Sequence, residues 1–146
     1  MSGDGSARAV VEGWLADYAD AIDAADLLAL ARLCAGVTVA APSGAQATGD
    51  EVADLYAPLV VSPSPQGQRH TKHHITNVSV HDVGEAGATA RSYYLLLKER
   101  DGAPTLEATG RYETTLMLDE GGWAVTEHVV VRDMTRPTEK ETSHDR

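Results

Sequence analysis

Residues 69–80 read RHTKHHITNVSV, and how this stretch is folded decides how the rest of the chain must be arranged. It holds three of the six histidines, His70, His73 and His74, beside the strand-forming residues Ile75, Val78 and Val80. The turn-rich run SPSPQGQ at 62–68 leads into it. Alternation of polar and β-branched residues predicts a strand. On a strand, His73, Ile75, Asn77, Ser79 and His81 form one row, and His74, Thr76, Val78 and Val80 form the other. Alternation alone leaves open which row faces inward. His70 and His74 share a face but lie roughly 13 Å apart at about 3.3 Å per residue. His73 points the other way. One zinc ion needs its ligand nitrogens within about 2.0–2.1 Å, so HxxHH on a single strand is not a metal cluster. A metal would need His128 or carboxylates from elsewhere, and none is expected.

From residue 69 onward the period stays at two. Four segments are predicted, at 69–83, 88–100, 105–119 and 123–134, separated by GEAG, DGAP and EGG. Short Gly-containing breaks make hairpins, so these strands should be antiparallel neighbours, and their length favours a curved sheet with bulges. Before residue 69 the period is helical. Val11, Trp14, Leu15, Tyr18 and Ile22 recur at 3/4 spacing after Ser6, a potential N-cap, with 1–5 as a mobile leader. Asp26 is placed to cap a second helix over 27–34, ended by Gly36. Residues 37–41 and 45–48 read as a small hairpin around Pro42-Ser43-Gly44. Thr48 and Glu51 have capping-box spacing for a third helix, which Pro58 should end. The expected architecture is α+β: a cone-shaped curved antiparallel β-sheet wrapped by three N-terminal helices, with an internal pocket. Residues 1–134 are expected to form one domain, and the polar stretch 135–146 a disordered tail.

Bulk properties narrow the function classes. The chain has 146 residues and a formal net charge of −10, which argues against nucleic-acid and anionic-membrane partners. The single cysteine, Cys34, lies in an apolar helical pattern and reads as an inert buried thiol. No apolar run approaches the roughly 18 residues of a membrane span, and the polar start, MSGDGSAR, is unlike a secretory signal. These features together point to the cytoplasm. There is no GxSxG, phosphate-binding glycine loop or dinucleotide fingerprint in a fitting context.

The order of helix YADAIDAADLLALARL, strand RHTKHHITNVSV, then ATARSYYLLL, GRYETTLMLDEGGW and VVVRDM resembles the SnoaL-like and scytalone-dehydratase-like branch of the nuclear-transport-factor-2-like superfamily. The resemblance covers residues 7–134. It implies catalytic roles for Tyr18 and Asp23 at the end of the first helix and for His73 early in the first long strand. It turns His73 and Asn77 toward the pocket and His74 outward. Substrate contacts are expected from Trp14, Tyr56, Asn77, Tyr93 and Tyr94. The general-base Asp of ketosteroid isomerases is absent, since Ala40 and Ala41 stand there, and the alternate dehydratase histidine falls near Tyr93. In this frame His73 is general base and acid, Asp23 orients it, and Tyr18 donates to a carbonyl oxygen. The expected activity is cofactor-independent dehydration, isomerisation or cyclisation of an apolar, carbonyl-bearing polyketide- or steroid-like molecule. The alternative is a non-catalytic ligand-binding or structural subunit. A homodimer or higher homo-oligomer is expected, with Val78 and Val80 on the outer face beside His74.

Overall fold

Val11, Leu15, Tyr18 and Ile22 are all at least 95% buried, so the apolar stripe read from the sequence is the face by which the first helix meets the sheet. The structure, a computed structural model, describes residues 3–137, and side chains from residue 6. The first helix, α1 (Gly3–Asp23), is followed by α2 (Leu27–Leu33), β1 (Thr38–Ala40), β2 (Gln46–Thr48), α3 (Asp50–Tyr56), β3 (Thr71–His81), β4 (Gly87–Arg100), β5 (Ala103–Asp119) and β6 (Gly122–Thr135). Residues 3–5, expected to be a leader, are already helical. The last strand runs on to Thr135, and the expected tail from 138 lies outside the described residues.

One six-stranded sheet runs in the order β2-β1-β6-β5-β4-β3. The three long hairpins are antiparallel, whereas β1 joins β6 in parallel. The β4–β5 turn is carried by Asp101 and Gly102, both at positive φ (52° and 78°), the backbone that tight two-residue hairpins require. α1 lies across the concave face, against β3 and β6, and α2 bridges α1 to α3. Asp26 caps α2 as expected, its carboxylate accepting from the Ala29 N–H at 3.0 Å. The capping box does not form. Thr48 belongs to β2, where its hydroxyl meets that of Thr38 across the strand pair at 3.1 Å, and Gly49 takes the N-cap with no side-chain bond.

Of four register shifts between the long strands, two bear on the site. On β3 the register jumps from Thr76↔Tyr93 to Ser79↔Arg91, so one extra residue is accommodated, and Asn77 sits in the left-handed region at φ 57°. Such a bulge inverts the alternation beyond it. Val78 and Val80 therefore turn inward and pack on the core, and the expected outer row of His74, Val78 and Val80 is broken. A second shift falls between Thr109 and Gly110 on β5. Here a Cβ on Gly110 would lie 2.0 Å from the Val131 carbonyl oxygen and 2.6 Å from the Tyr94 ring, so only glycine lets that ring lie flat against β5.

Candidate active site

Asp23 ends α1, and its carboxylate is almost wholly enclosed at 4% exposure. An anion at a helix C-terminus opposes the helix dipole, so helix formation does not explain it. Three donors from β3 do. Oδ2 accepts the His73 backbone N–H at 2.7 Å, and Oδ1 accepts the Thr71 hydroxyl at 3.0 Å and the His73 Nδ1 at 2.7 Å. An ionised carboxylate only accepts, so Nδ1 carries a proton and the lone pair of a neutral imidazole is fixed on Nε2. The dyad thus presents a base of defined tautomer and direction, held by a helix end and an edge strand.

His73 borders an enclosed pocket of about 290 Å³. The rest of its wall comes from Ile22, the α3 region (Leu55, Tyr56, Leu59, Val60), Thr71 on β3, Tyr94 and Leu96 on β4, Ala108 and Tyr112 on β5, and Val130 and Arg132 on β6, closed by Ala41, Pro42 and Ser43 after β1. A second, more open groove of about 610 Å³ runs between α1 and the edge strand β3, and also touches His73, Asp23 and Asn77. The enclosed pocket is the candidate site because its wall is largely apolar and includes Tyr56, Tyr94 and Tyr112 together with His73.

The floor of the cone is filled. Trp14 stacks on Tyr18 at 5.1 Å, and the His128 ring lies 4.8 Å from both and 4.5 Å from Tyr112. His128 Nδ1 meets the Thr114 hydroxyl at 3.0 Å, and burial lowers this histidine to a pKa of about 3. The Tyr18 hydroxyl is bonded to that of Tyr56. Burial pushes Tyr18 well above the ordinary tyrosine range, with Tyr56 and Tyr112 adding to the effect. Burial likewise raises Tyr56 to about 12 and Tyr112 well upward. For Tyr94 burial again raises the value, and the adjoining Arg132 guanidinium partly offsets it. All four phenols therefore keep their protons at neutral pH and can serve as donors.

The structure brings Asp23 and His73 together and places Tyr56 and Tyr94 on the same pocket wall. Tyr18 is not on that wall. It is 1% exposed and stands one hydroxyl behind Tyr56. Trp14 is part of the floor rather than the wall. Tyr93 is 53% exposed on the outer face, because it alternates with the inward Tyr94. Asn77 is exposed at the bulge instead of one pleat along from His73, which takes it out of the enclosed pocket. Thr71, Tyr112 and Arg132 were missed by sequence reasoning. Thr71 could have been found, being two residues before His73 on the same strand face. His70 pairs with Glu99 at 2.8 Å, and His74 is exposed. Among the described residues no three of His, Cys, Asp or Glu gather closely enough to hold a metal ion, and no helix is long and apolar enough to cross a membrane.

A curved sheet closed by helices around a His–Asp pair defines a small α+β pocket protein of the nuclear-transport-factor-2-like kind. Within that class the chain belongs to the SnoaL-like domain family, whose pattern matches residues 6–129. No curated protein matches it in sequence. Among solved structures it is similar to a candidate scytalone dehydratase from Novosphingobium aromaticivorans, at 22% identity and TM-score 0.66 over 90% of this chain and 87% of that one. It is also similar to LinA, at 15% identity and TM-score 0.72 over 94% and 92% of the two chains. A third is the CamKII hub homology domain of a Chlamydomonas reinhardtii protein, at 22% identity and TM-score 0.68 over 88% and 100%. Likeness at these identities is a likeness of fold.

Proposed function

We propose that the chain is a cofactor-independent acid/base enzyme, a dehydratase, isomerase or cyclase, that acts on an apolar carbonyl-bearing small molecule in the enclosed pocket. The observation that carries this reading is the Asp23–His73 pair, with Nδ1 bonded at 2.7 Å and Nε2 left as the base beside an apolar cavity. Nε2 takes a proton from the carbon next to the carbonyl, and the C–H electron pair moves onto the carbonyl oxygen. The enolate oxygen receives a hydrogen bond from Tyr56, whose own acceptor site is filled when Tyr18 donates to it. Asp23 stabilises the imidazolium so formed. In a dehydration the enolate then re-forms the carbonyl and expels the β-hydroxyl, which leaves as water with the proton from Nε2. In an isomerisation that proton returns to a different carbon. Tyr18 acts here as a positioning residue for Tyr56. The fold likeness to a candidate scytalone dehydratase is in keeping with this chemistry.

The test is turnover of β-hydroxy ketones, followed by mass spectrometry for loss of water or for a new isomer at constant mass. His73→Ala and Asp23→Asn should each lower kcat by about 10²- to 10⁴-fold while the circular dichroism spectrum stays native. Wild-type turnover in both variants would overturn the assigned roles.

A second reading, a ligand-binding or structural subunit, is favoured by one observation: the family fold also occurs in a hub homology domain. On that reading the pocket takes up apolar ligands stoichiometrically and His73→Ala changes nothing but affinity. In either case the chain is read as a homo-oligomer.

A further inference from the structure

Among the described residues that line the enclosed pocket there is no Asp or Glu, and there is one permanent cation, Arg132. It stands at the mouth, on the exposed end of β6, beside the Tyr94 hydroxyl. Arg91, Arg100 and Arg111 on the same sheet each face a carboxylate, Glu113, Glu107 and Asp133 respectively. Arg132 has no such partner among the described residues. Asp133, the nearest acid in sequence, is held by Arg111 at 2.9 Å, and its charge reaches the Tyr94 phenol, which it raises. A guanidinium at the rim of an apolar cavity, with a phenol beside it, is suited to a planar anion that stays partly hydrated while its hydrocarbon body enters the cavity.

His73 and Arg132 also lie at opposite sides of the pocket. They belong to β3 and β6, which are three strand spacings apart, roughly 14 Å between backbones along the sheet. The concave sheet brings their side chains closer, yet they approach the cavity from different walls. From this we infer that the substrate is a ring-containing carboxylic acid, its carboxylate held at the mouth by Arg132 and Tyr94 and its reacting C–H carried inward to His73. The inference rests on the reading of this cavity as the substrate pocket and narrows the substrate from any apolar carbonyl compound to an amphipathic acid. It also sets the polarity of binding, with the ring system leading. The protein's formal charge of −10 would by itself repel such a ligand, which makes a local cation at the entrance the more necessary.

Binding of a non-reacting probe separates this inference from the catalytic one. 2-Naphthoate, a bicyclic acid small enough for a cavity of about 290 Å³, is titrated by calorimetry against its neutral isostere 2-naphthamide. The wild type should prefer the carboxylate, and Arg132→Gln should weaken carboxylate binding by about fivefold while leaving the amide unchanged. Arg132→Lys should retain part of the preference, and serves as the second variant if the glutamine protein does not fold. Arg91→Gln, at an exposed arginine outside the pocket wall, should bind both probes as the wild type does, and because neither probe is turned over, a failure of the catalytic assignment leaves the binding result standing. Absence of any preference for the carboxylate in the wild type, including failure to bind either probe, overturns the inference. So does an unchanged preference in Arg132→Gln.

Discussion

Burial holds His128 at about 3, whereas the same side chain in an unfolded chain takes up its proton near 6.5. Between those values the unfolded state binds more protons than the folded one, so stability rises with pH. The contribution is fully present above pH 6.5 and is lost as the pH falls toward 3. With Trp14, Tyr18, Tyr112 and Thr114 around the ring, no acid is at hand to stabilise an imidazolium. The loss should amount to a few kcal/mol, on the order of 1.4 per pH unit. Thermal melts from pH 7 to pH 4 should therefore show a steeper fall for the wild type than for His128→Leu, after each is referred to its own value at pH 7. Parallel curves would mean that His128 takes no part. The contrast with His73 is instructive at this scale. Two inward histidines of one cone differ in what meets Nδ1: a hydroxyl for His128 and a carboxylate for His73. Only the second can support a transient positive charge.

The bulge of β3 decides which residues the strand offers to the pocket. Asn77, at φ 57°, is of the residue type that tolerates this backbone next to glycine, and a β-branched residue there is strained. Asn77→Gly should leave the midpoint of chemical unfolding nearly unchanged. Asn77→Val should lower stability by about 1–3 kcal/mol, measured in the same titration. Equal midpoints for the two would show that the bulge is not held at this residue. The same element marks how far the sequence could be read. The helical stripe from Val11 to Ile22, the Asp26 cap and the four long strands were legible because period and turn chemistry are local. His73 facing Asp23 was legible through resemblance. Asn77, Val78 and Val80 were misplaced because a single extra residue inverts every side chain after it, and strict alternation carries no sign of that residue. Arg132 shares the face of Val130 by plain alternation, and was missed because alternation does not say how far along the strand the pocket wall extends. Tyr18 was misjudged by depth: its helix position is right, but a second tyrosine, Tyr56, arrives from α3 and stands in front of it.

For the molecule as a whole, the outer face of the sheet is where association is expected. Tyr93 on β4 lies across from Arg111 on β5, which lies across from Val131 on β6, and the next outward positions include Leu95, Thr109 and Met134. Tyr93 and Met134 are 53% and 67% exposed, so this surface carries exposed apolar groups beside the Arg111–Asp133 and Arg91–Glu113 pairs. The wild type should elute from a sizing column as a dimer or larger, and Tyr93→Glu should shift it toward the monomer. A monomeric wild type would remove homo-oligomerisation from the reading of this chain. One helix, α1, supplies both the floor of the cone, through Trp14 and Tyr18, and the orienting Asp23 at its far end. Floor and dyad are thus separated by a turn or more of the same rod, each fixed by different strands. Lineages that share this scaffold can therefore deepen or fill the cavity at the level of residue 14 without disturbing the proton-transfer pair. Such independence would let one reaction be inherited while the length of the molecule it accepts is free to drift.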